Sequence, residues 1–517
     1  MLRVATIENG KVRGLPAADP RVTSFKGIPF AAPPVGENRW RAPQPCPNWN
    51  GIREAFEFAP ISVQDTPGLG TDIYCREWHV DPEIPMSEDC LYLNVWTNAK
   101  RVDERLPVLV WFFGGGFQWG YTAEMEFDGE RIARRGVVVV SVNYRLAALG
   151  FLAHPEITAL QPDSPANFGS LDQQAGLKWV VRNIAAFGGD PDNITIAGQS
   201  AGGMSVMSQM TCADNWGLFQ RAIVMSGMFR SPYTKDSFVI PKSLSEAENT
   251  GAEFFKFMGV RSLAEARELD ALTIRDKYGE FAKDHPRFAI ILDDRFCRED
   301  PFRAFLLNRR AHVPILVGNT QDEFLSCIVA ENREQFESRA REIFGKRADR
   351  FLAFDLSREK CEWGYAPVND IECAVKAAFF AENKTKDPTP CYYYRFLPDI
   401  PGDDRPGTFH SVDLWFFFET LAKSTRPHRG RHYDLSRQMC NYFANFIKTG
   451  DPNGQDDDGS EMPVWQPYTD DCRAEMLFGD NGAVSSTEND TFMRFLSEHV
   501  YRETTGEELE DGNEASV

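Results

Sequence analysis

One serine, Ser200, stands where a carbonyl-attacking nucleophile belongs. Gly198-Gln199-Ser200-Ala201-Gly202 fits the pattern GxSxG, following the short apolar run 193–197 (NITIA) and preceding a helical pattern that begins at Ala201. A serine hydroxyl is a weak nucleophile. A sharp strand-to-helix turn holds it out toward a base, and the turn crowds the residues two before and two after, so both must be small. A second glycine run, Gly114-Gly115-Gly116-Phe117, closes the apolar run 106–113 (LPVLVWFF). Glycines let backbone N–H groups approach a ligand closely, and acyl transfer needs such donors where the carbonyl oxygen becomes an anion. A post-strand GGG loop upstream of a GxSxG turn therefore reads as an oxyanion hole rather than a flexible turn. No CxxC or HExxH spacing signals a metal. The eleven cysteines are an odd number. Cys75 and Cys90 are spaced to close a short loop, against the alternative of two reduced thiols.

These residues need rigid elements behind them. Residues 106–113 and 137–144 (VVVVSVNY) are continuous apolar, β-rich runs, suited to strands buried on both faces of a parallel sheet. Residues 173–187 have helical spacing, with Ala175, Trp179, Ile184 and Phe187 on the buried side, and a turn follows at 188–191 (GGDP). Residues 193–197, 313–317 (VPILV, ending at Gly318) and 391–397 (CYYYRFL) add further strands. Alternation of this kind implies an α/β fold with a central, mostly parallel sheet and helices on both faces. Residues 231–312 are richer in helical patterns such as LSEAENTGAEFFKFM and are expected outside the sheet, walling the pocket. No Pro/Gly/Ser linker divides the chain, so residues 1–502 read as one domain. Residues 503–517 (ETTGEELEDGNEASV) read as an acidic, disordered tail.

The 517 residues carry 56 Lys+Arg against 76 Asp+Glu, a formal charge of -20. An acidic surface repels phosphate backbones, which excludes nucleic acid as a partner. No apolar run approaches the ~18 residues of a membrane-spanning helix, so no membrane anchor is expected. The opening MLRVATIENG lacks the apolar core of a leader, so the cytoplasm is the expected location.

The motifs, in order, resemble those of the type-B carboxylesterase/cholinesterase family of α/β-hydrolases. They include residues 25–31 (FKGIPFA) with 33–36 (PPVG), 87–95 (SEDCLYLNV), GGGF at 114–117, 143–146 (NYRL), 149–151 (LGF), 167–173 (NFGSLDQ) and the stretch from Asn183 through 187–191 (FGGDP) into GQSAGG. The similarity spans about residues 2–500. It implies an α/β-hydrolase fold and hydrolysis of small-molecule esters with no cofactor. By motif it implies Ser200 as nucleophile, Glu323 in 317–323 (VGNTQDE) as acid and His410 in 407–414 (GTFHSVDL) as base, with oxyanion donors at Gly115, Gly116 and Ala201. Elimination also favours His410. The chain order Ser…acid…His leaves His410, His428, His432 and His499 after Glu323, and only His410 follows a strand on a loop of the right kind. The residues alone leave Asp322 and Glu323 open as the acid.

The family likeness further implies buried ion pairs Arg145–Asp172 and Arg39–Glu88, and a Cys75–Cys90 bridge beside the pocket. Three departures follow. Phe113 stands where the family often has His before the glycines. Gln199 stands where cholinesterases place Glu, and it joins the candidate substrate-binding residues. Trp78 lies inside the Cys75–Cys90 interval, where cholinesterases carry their choline-holding tryptophan, but at a different spacing. It is a substrate-binding candidate against a packing role. The expected activity is hydrolysis of neutral carboxylic esters through an acyl-enzyme. The alternatives are an amidase or transacylase with the same triad, or a non-catalytic binding protein.

Overall fold

The computed structural model describes residues 1–234, 239–385 and 388–507. Its centre is an eleven-stranded mixed sheet. From edge to edge the strands are Gly482–Thr487, Ala474–Gly479, Cys391–Phe396, Ile315–Thr320, Arg221–Met225, Gly189–Gln199, Leu106–Phe112, Val138–Val142, Tyr92–Thr97, Thr23–Pro29 and Leu15–Pro16. The seven inner strands from Ala474–Gly479 to Val138–Val142 pair in parallel. The strands at both edges are antiparallel.

The inner strands are the continuous apolar runs of the sequence. Val138–Val142 is buried at every position, and Leu106–Phe112 at its last five, as a sheet covered on both faces requires. Two large apolar clusters pack on the sheet, one containing Val108, Val110, Ile194 and Ile196, the other Leu109, Trp111, Ala197 and Ile223. Alternating residues of one strand thus feed opposite faces. Helix Phe168–Asn183 buries Trp179, and the 3-10 turn Ile184–Phe187 buries both its ends. Ala175 is only half-buried. The expected turn at 188–191 is shorter than read, because the strand to Ser200 already begins at Gly189.

Between Arg221–Met225 and Ile315–Thr320 the chain leaves the central sheet and forms helices Leu244–Met258, Leu263–Arg267, Ala271–Phe281 and Pro301–Leu306. The first has a full capping box between Ser243 and Glu246. At the C-terminus the expected tail is corrected. Helix Thr491–Thr505 runs through residues 503–505, holding Phe495, Leu496 and Val500 in the core, and is closed by Gly506. Residues 508–517 lie outside the described residues. Among the described residues no helix is long and apolar enough to cross a membrane.

The expected buried pairs are present. Arg145 meets Asp172 at 2.7 Å and Arg39 meets Glu88 at 2.6 Å. Arg145 Nε and backbone N–H both donate to Asp172 Oδ2, so the guanidinium ties the chain just after Val138–Val142 to helix Phe168–Asn183.

Candidate active site

Ser200 sits between strand Gly189–Gln199 and helix Ala201–Thr211 with φ 56° and ψ -125°, a strained conformation for a non-glycine residue. Its N–H donates to Met225 O at 2.9 Å, fixing the turn to the neighbouring strand. The flanking glycines have no room for a methyl. A Cβ on Gly198 would lie 2.3 Å from Gly202 O, and one on Gly202 would lie 2.1 Å from Phe112 O. Close backbone packing therefore imposes the spacing of the motif.

The other two candidates arrive from separate loops. Glu323 follows strand Ile315–Thr320 and is buried. Its Oε2 lies 2.5 Å from His410 Nδ1. Its Oε1 accepts from Ser226 Oγ at 2.5 Å and from Thr320 N–H at 3.0 Å. Burial alone would raise the carboxyl pKa. The charge of the His410 imidazole, with hydrogen bonds from His410, Ser226 and Thr320, outweighs it and holds the group below the usual carboxylate range.

Asp322, left open by the residues alone, points the other way. Its Oδ2 accepts from Thr408 N–H at 2.7 Å, and its N–H donates to Thr408 O at 3.1 Å. A Cβ on Gly407 would lie 2.5 Å from Asp322 Oδ2, so this carboxylate needs a glycine beside it. Asp322 clamps the loop that carries His410, while Glu323 touches the ring.

His410 is buried beside Phe324, with ring centroids 4.8 Å apart. Its Nε2 lies 3.3 Å from Gln199 Nε2. In the neutral tautomer that carries its proton on Nδ1, facing Glu323, Nε2 can accept from the Gln199 amide. Among the described residues Ser200 Oγ makes no hydrogen bond within 3.5 Å; the structure brings Glu323 and His410 together, and Gln199, the residue before Ser200, meets the ring. Around the serine, the N–H groups of Gly115, Gly116 and Ala201 have no acceptor among the described residues. Phe113, in the position before the glycines, stacks on Tyr144 at 4.3 Å while Tyr144 OH donates to Phe113 O at 2.8 Å. Apolar stacking here supports the glycine loop.

Two expectations are corrected. Cys75 and Cys90 are both free thiols. Cys90 Sγ is buried 3.6 Å from Ser62 Oγ, while Cys75 packs against the Gly70 turn, so the two sulfurs face different partners. Trp78 is 4% exposed and covered by Tyr74, Phe409 and Trp415 at 5.7–6.3 Å. It packs behind the His410 loop and offers no face to a substrate.

Two residues escaped the sequence reading. Ser226, just past strand Arg221–Met225, hydrogen-bonds Glu323. Asp413, three residues beyond His410, is fully buried, accepts from Tyr394 OH at 2.8 Å and has an unpartnered Oδ1. Burial pushes its pKa up to about 7, against the Tyr394 bond and the attraction of His410, with repulsion from Glu323 adding to the rise. Only the segment SVD just after His410 carried a signal, a carboxyl one helical turn from the base. Among the described residues no three His, Cys, Asp or Glu side chains gather to hold a metal ion.

A carboxylate–imidazole pair facing a serine at a strand-to-helix turn, with free amides beside it, is equipped for acyl transfer. A model of the carboxylesterase family matches residues 2–496. The chain belongs to the carboxylesterase family. This carboxylesterase is 32% identical to a mouse cholinesterase over 507 residues, covering 89% of this chain and 81% of that one. It is 32% identical to the para-nitrobenzyl esterase of Bacillus subtilis over 498 residues, covering 92% and 94%. Among solved structures, a PNB esterase superposes with a TM-score of 0.77 at 28% identity, covering 96% of the carboxylesterase and 99% of that chain. A Geobacillus stearothermophilus carboxylesterase does so with a TM-score of 0.70 at 27% identity, covering 96% and 100%. The fold is that of the α/β-hydrolase esterases, and the enzyme is a carboxylic ester hydrolase.

Proposed function

We propose that this enzyme is a serine esterase of neutral carboxylic esters, working through an acyl-enzyme. The observation that carries the reading is the 2.5 Å contact of Glu323 Oε2 with His410 Nδ1, on loops that face the Ser200 turn. Ser200 Oγ rotates to His410 Nε2, displacing the Gln199 amide, and gives up its proton as it attacks the ester carbonyl. Glu323 holds the ring in the tautomer whose Nε2 is free and stabilises the imidazolium that forms. The N–H groups of Gly115, Gly116 and Ala201 receive the oxyanion, each essential donor contributing about 3–4 kcal/mol. His410 protonates the leaving alcohol. It then activates the water that frees the acid and regenerates Ser200. Gln199, uncharged and beside the nucleophile, gives no local attraction to a cationic alcohol.

Ser200→Ala tests the assignment. Removing one oxygen from a half-buried residue costs little packing, so the variant folds with an unchanged Tm. It is expected to lose at least a thousandfold in kcat for p-nitrophenyl butyrate and all labelling by a fluorophosphonate probe that marks the parent once. Undiminished hydrolysis or labelling refutes Ser200 as nucleophile. A parent that neither takes the label nor turns over any ester or amide of the panels supports the binding-protein alternative.

A further inference from the structure

The glycine loop has a second neighbour. Gln118 and Trp119, just past Gly116, line a cavity of about 350 Å³. Its floor is apolar, with Leu149 and Ile274 buried in it. Its rim carries Arg275, Lys283 and Arg287 against one carboxylate, Asp65. Three cations to one anion reverse the sign of a chain whose formal charge is -20. Arg275 is paired with Asp276 at 2.7 Å, and Asp65 accepts from Trp119 Nε1 at 3.2 Å. Among the described residues Lys283 and Arg287 have no carboxylate partner. Arg287 lies over the Trp119 ring, 4.9 Å from its centroid. An apolar floor under two unmatched cations fits a ligand with a hydrocarbon body and an anionic end. Inorganic phosphate would leave the floor uncovered, whereas a carboxylate on a short chain matches both parts.

We propose that this cavity is a second ligand site of the enzyme and binds an organic carboxylate, with Lys283 and Arg287 on its charge and Leu149 and Ile274 against its chain. The site shares hydrogen bonds with the glycine loop. Tyr278 OH donates to Gln118 Oε1 at 2.8 Å and accepts from Phe288 N–H at 2.9 Å. Gln118 Nε2 in turn donates to Phe288 O at 2.7 Å and Gly116 O at 3.2 Å. A ligand resting on Tyr278 and Trp119 therefore bears on the peptide of Gly116. The carboxylate has two sources: the far end of an ester held at Ser200, or a free acid bound beside it.

The test compares the parent with Lys283→Gln/Arg287→Gln. Both side chains are exposed, so the variant keeps its fold, with Tm as the check. The first arm measures kcat/KM for mono-4-nitrophenyl adipate relative to 4-nitrophenyl hexanoate, esters of equal chain length ending in a carboxylate or a methyl. The second titrates free adipate and reads tryptophan fluorescence, with Trp119→Phe identifying the reporting ring. A tenfold or greater fall in the adipate-to-hexanoate ratio in the variant supports the site with substrate as source. A tenfold or greater loss of adipate affinity supports it with a free acid as source. An unchanged ratio together with unchanged or absent adipate binding overturns it. The first arm rests on the triad reading. The second needs no turnover, so failure of the triad leaves it able to decide the cavity.

Discussion

Replacing Glu323 with glutamine keeps the size of the acid and removes its charge. The outcome turns on which end of the amide meets the ring. Ser226 Oγ and Thr320 N–H both donate to the Oε1 position, at 2.5 and 3.0 Å. A glutamine there places its carbonyl oxygen toward those donors and its NH2 toward His410 Nδ1. The ring must then accept at Nδ1 and carry its proton on Nε2, the atom that has to receive the serine proton. Loss of the imidazolium–carboxylate attraction adds to this. Unit charges about 4 Å apart at an effective dielectric of ~20 are worth ~4 kcal/mol, or roughly a thousandfold in rate at ~1.4 kcal/mol per decade. With the wrong tautomer, Glu323→Gln is expected to lose about 10³–10⁴ in kcat/KM for p-nitrophenyl butyrate. Asp322→Asn keeps an acceptor for Thr408 N–H and is expected to lose less than about tenfold, the loss of one charge on a hydrogen bond outside the reacting atoms. Steady-state kinetics from pH 5.5 to 9, with ¹⁵N shifts of His410 to read the tautomer, make the comparison. A loss below tenfold for Glu323→Gln, or the reverse ranking of the two variants, refutes the assignment of the acid.

Three other expectations follow from the same geometry. Butyrylcholine should be hydrolysed no better, in kcat/KM at physiological salt, than the isosteric neutral 3,3-dimethylbutyl butyrate, because Gln199 is neutral and the face of Trp78 is covered. A tenfold preference for the cation would show that another group attracts it. Gln199→Glu should move the acid limb of kcat/KM to higher pH by roughly one unit or more, since a carboxylate beside Nε2 favours the charged ring. An unmoved limb would show that residue 199 does not face His410 in solution. Asp413→Asn should gain on the parent in Tm as pH rises. The folded carboxyl titrates near about 7 and an unfolded one near ~3.9. Across that window the native state keeps a proton the unfolded state has released, so the parent loses stability with rising pH, by at most about 4 kcal/mol, and levels off above the folded value. A Tm difference constant from pH 5 to 8 would contradict this.

What could be read from the sequence was what short segments decide. The inner strands, the serine turn and helix Leu244–Met258 each carry their pattern within 15 residues or fewer. Asp322 and Glu323 could not be separated, because adjacent residues of an extended chain point to opposite sides and only the position of the His410 loop shows which side matters. Ser226 reaches Glu323 through a contact between distant segments that no local spacing marks, and Asp413, though one helical turn from His410, shows its burial and its Tyr394 bond only in the fold. The antiparallel strands Thr23–Pro29 and Tyr92–Thr97 were missed because they pair with segments far along the chain. The Cys75–Cys90 bridge rested on spacing and on family likeness, and the structure turns the two sulfurs toward other neighbours.

The crowding at Gly198 and Gly202 also separates two kinds of inheritance. Both glycines answer to main-chain oxygens 2.1–2.3 Å from where a methyl would sit, while the hydroxyl between them answers to the reaction. A descendant that lost Ser200, Glu323 or His410 would still need both glycines to close its sheet against its helix. The pentapeptide therefore records ancestry of the scaffold at its ends and retention of the chemistry only at its middle, and a lineage can fall silent as a catalyst while its outline stays intact.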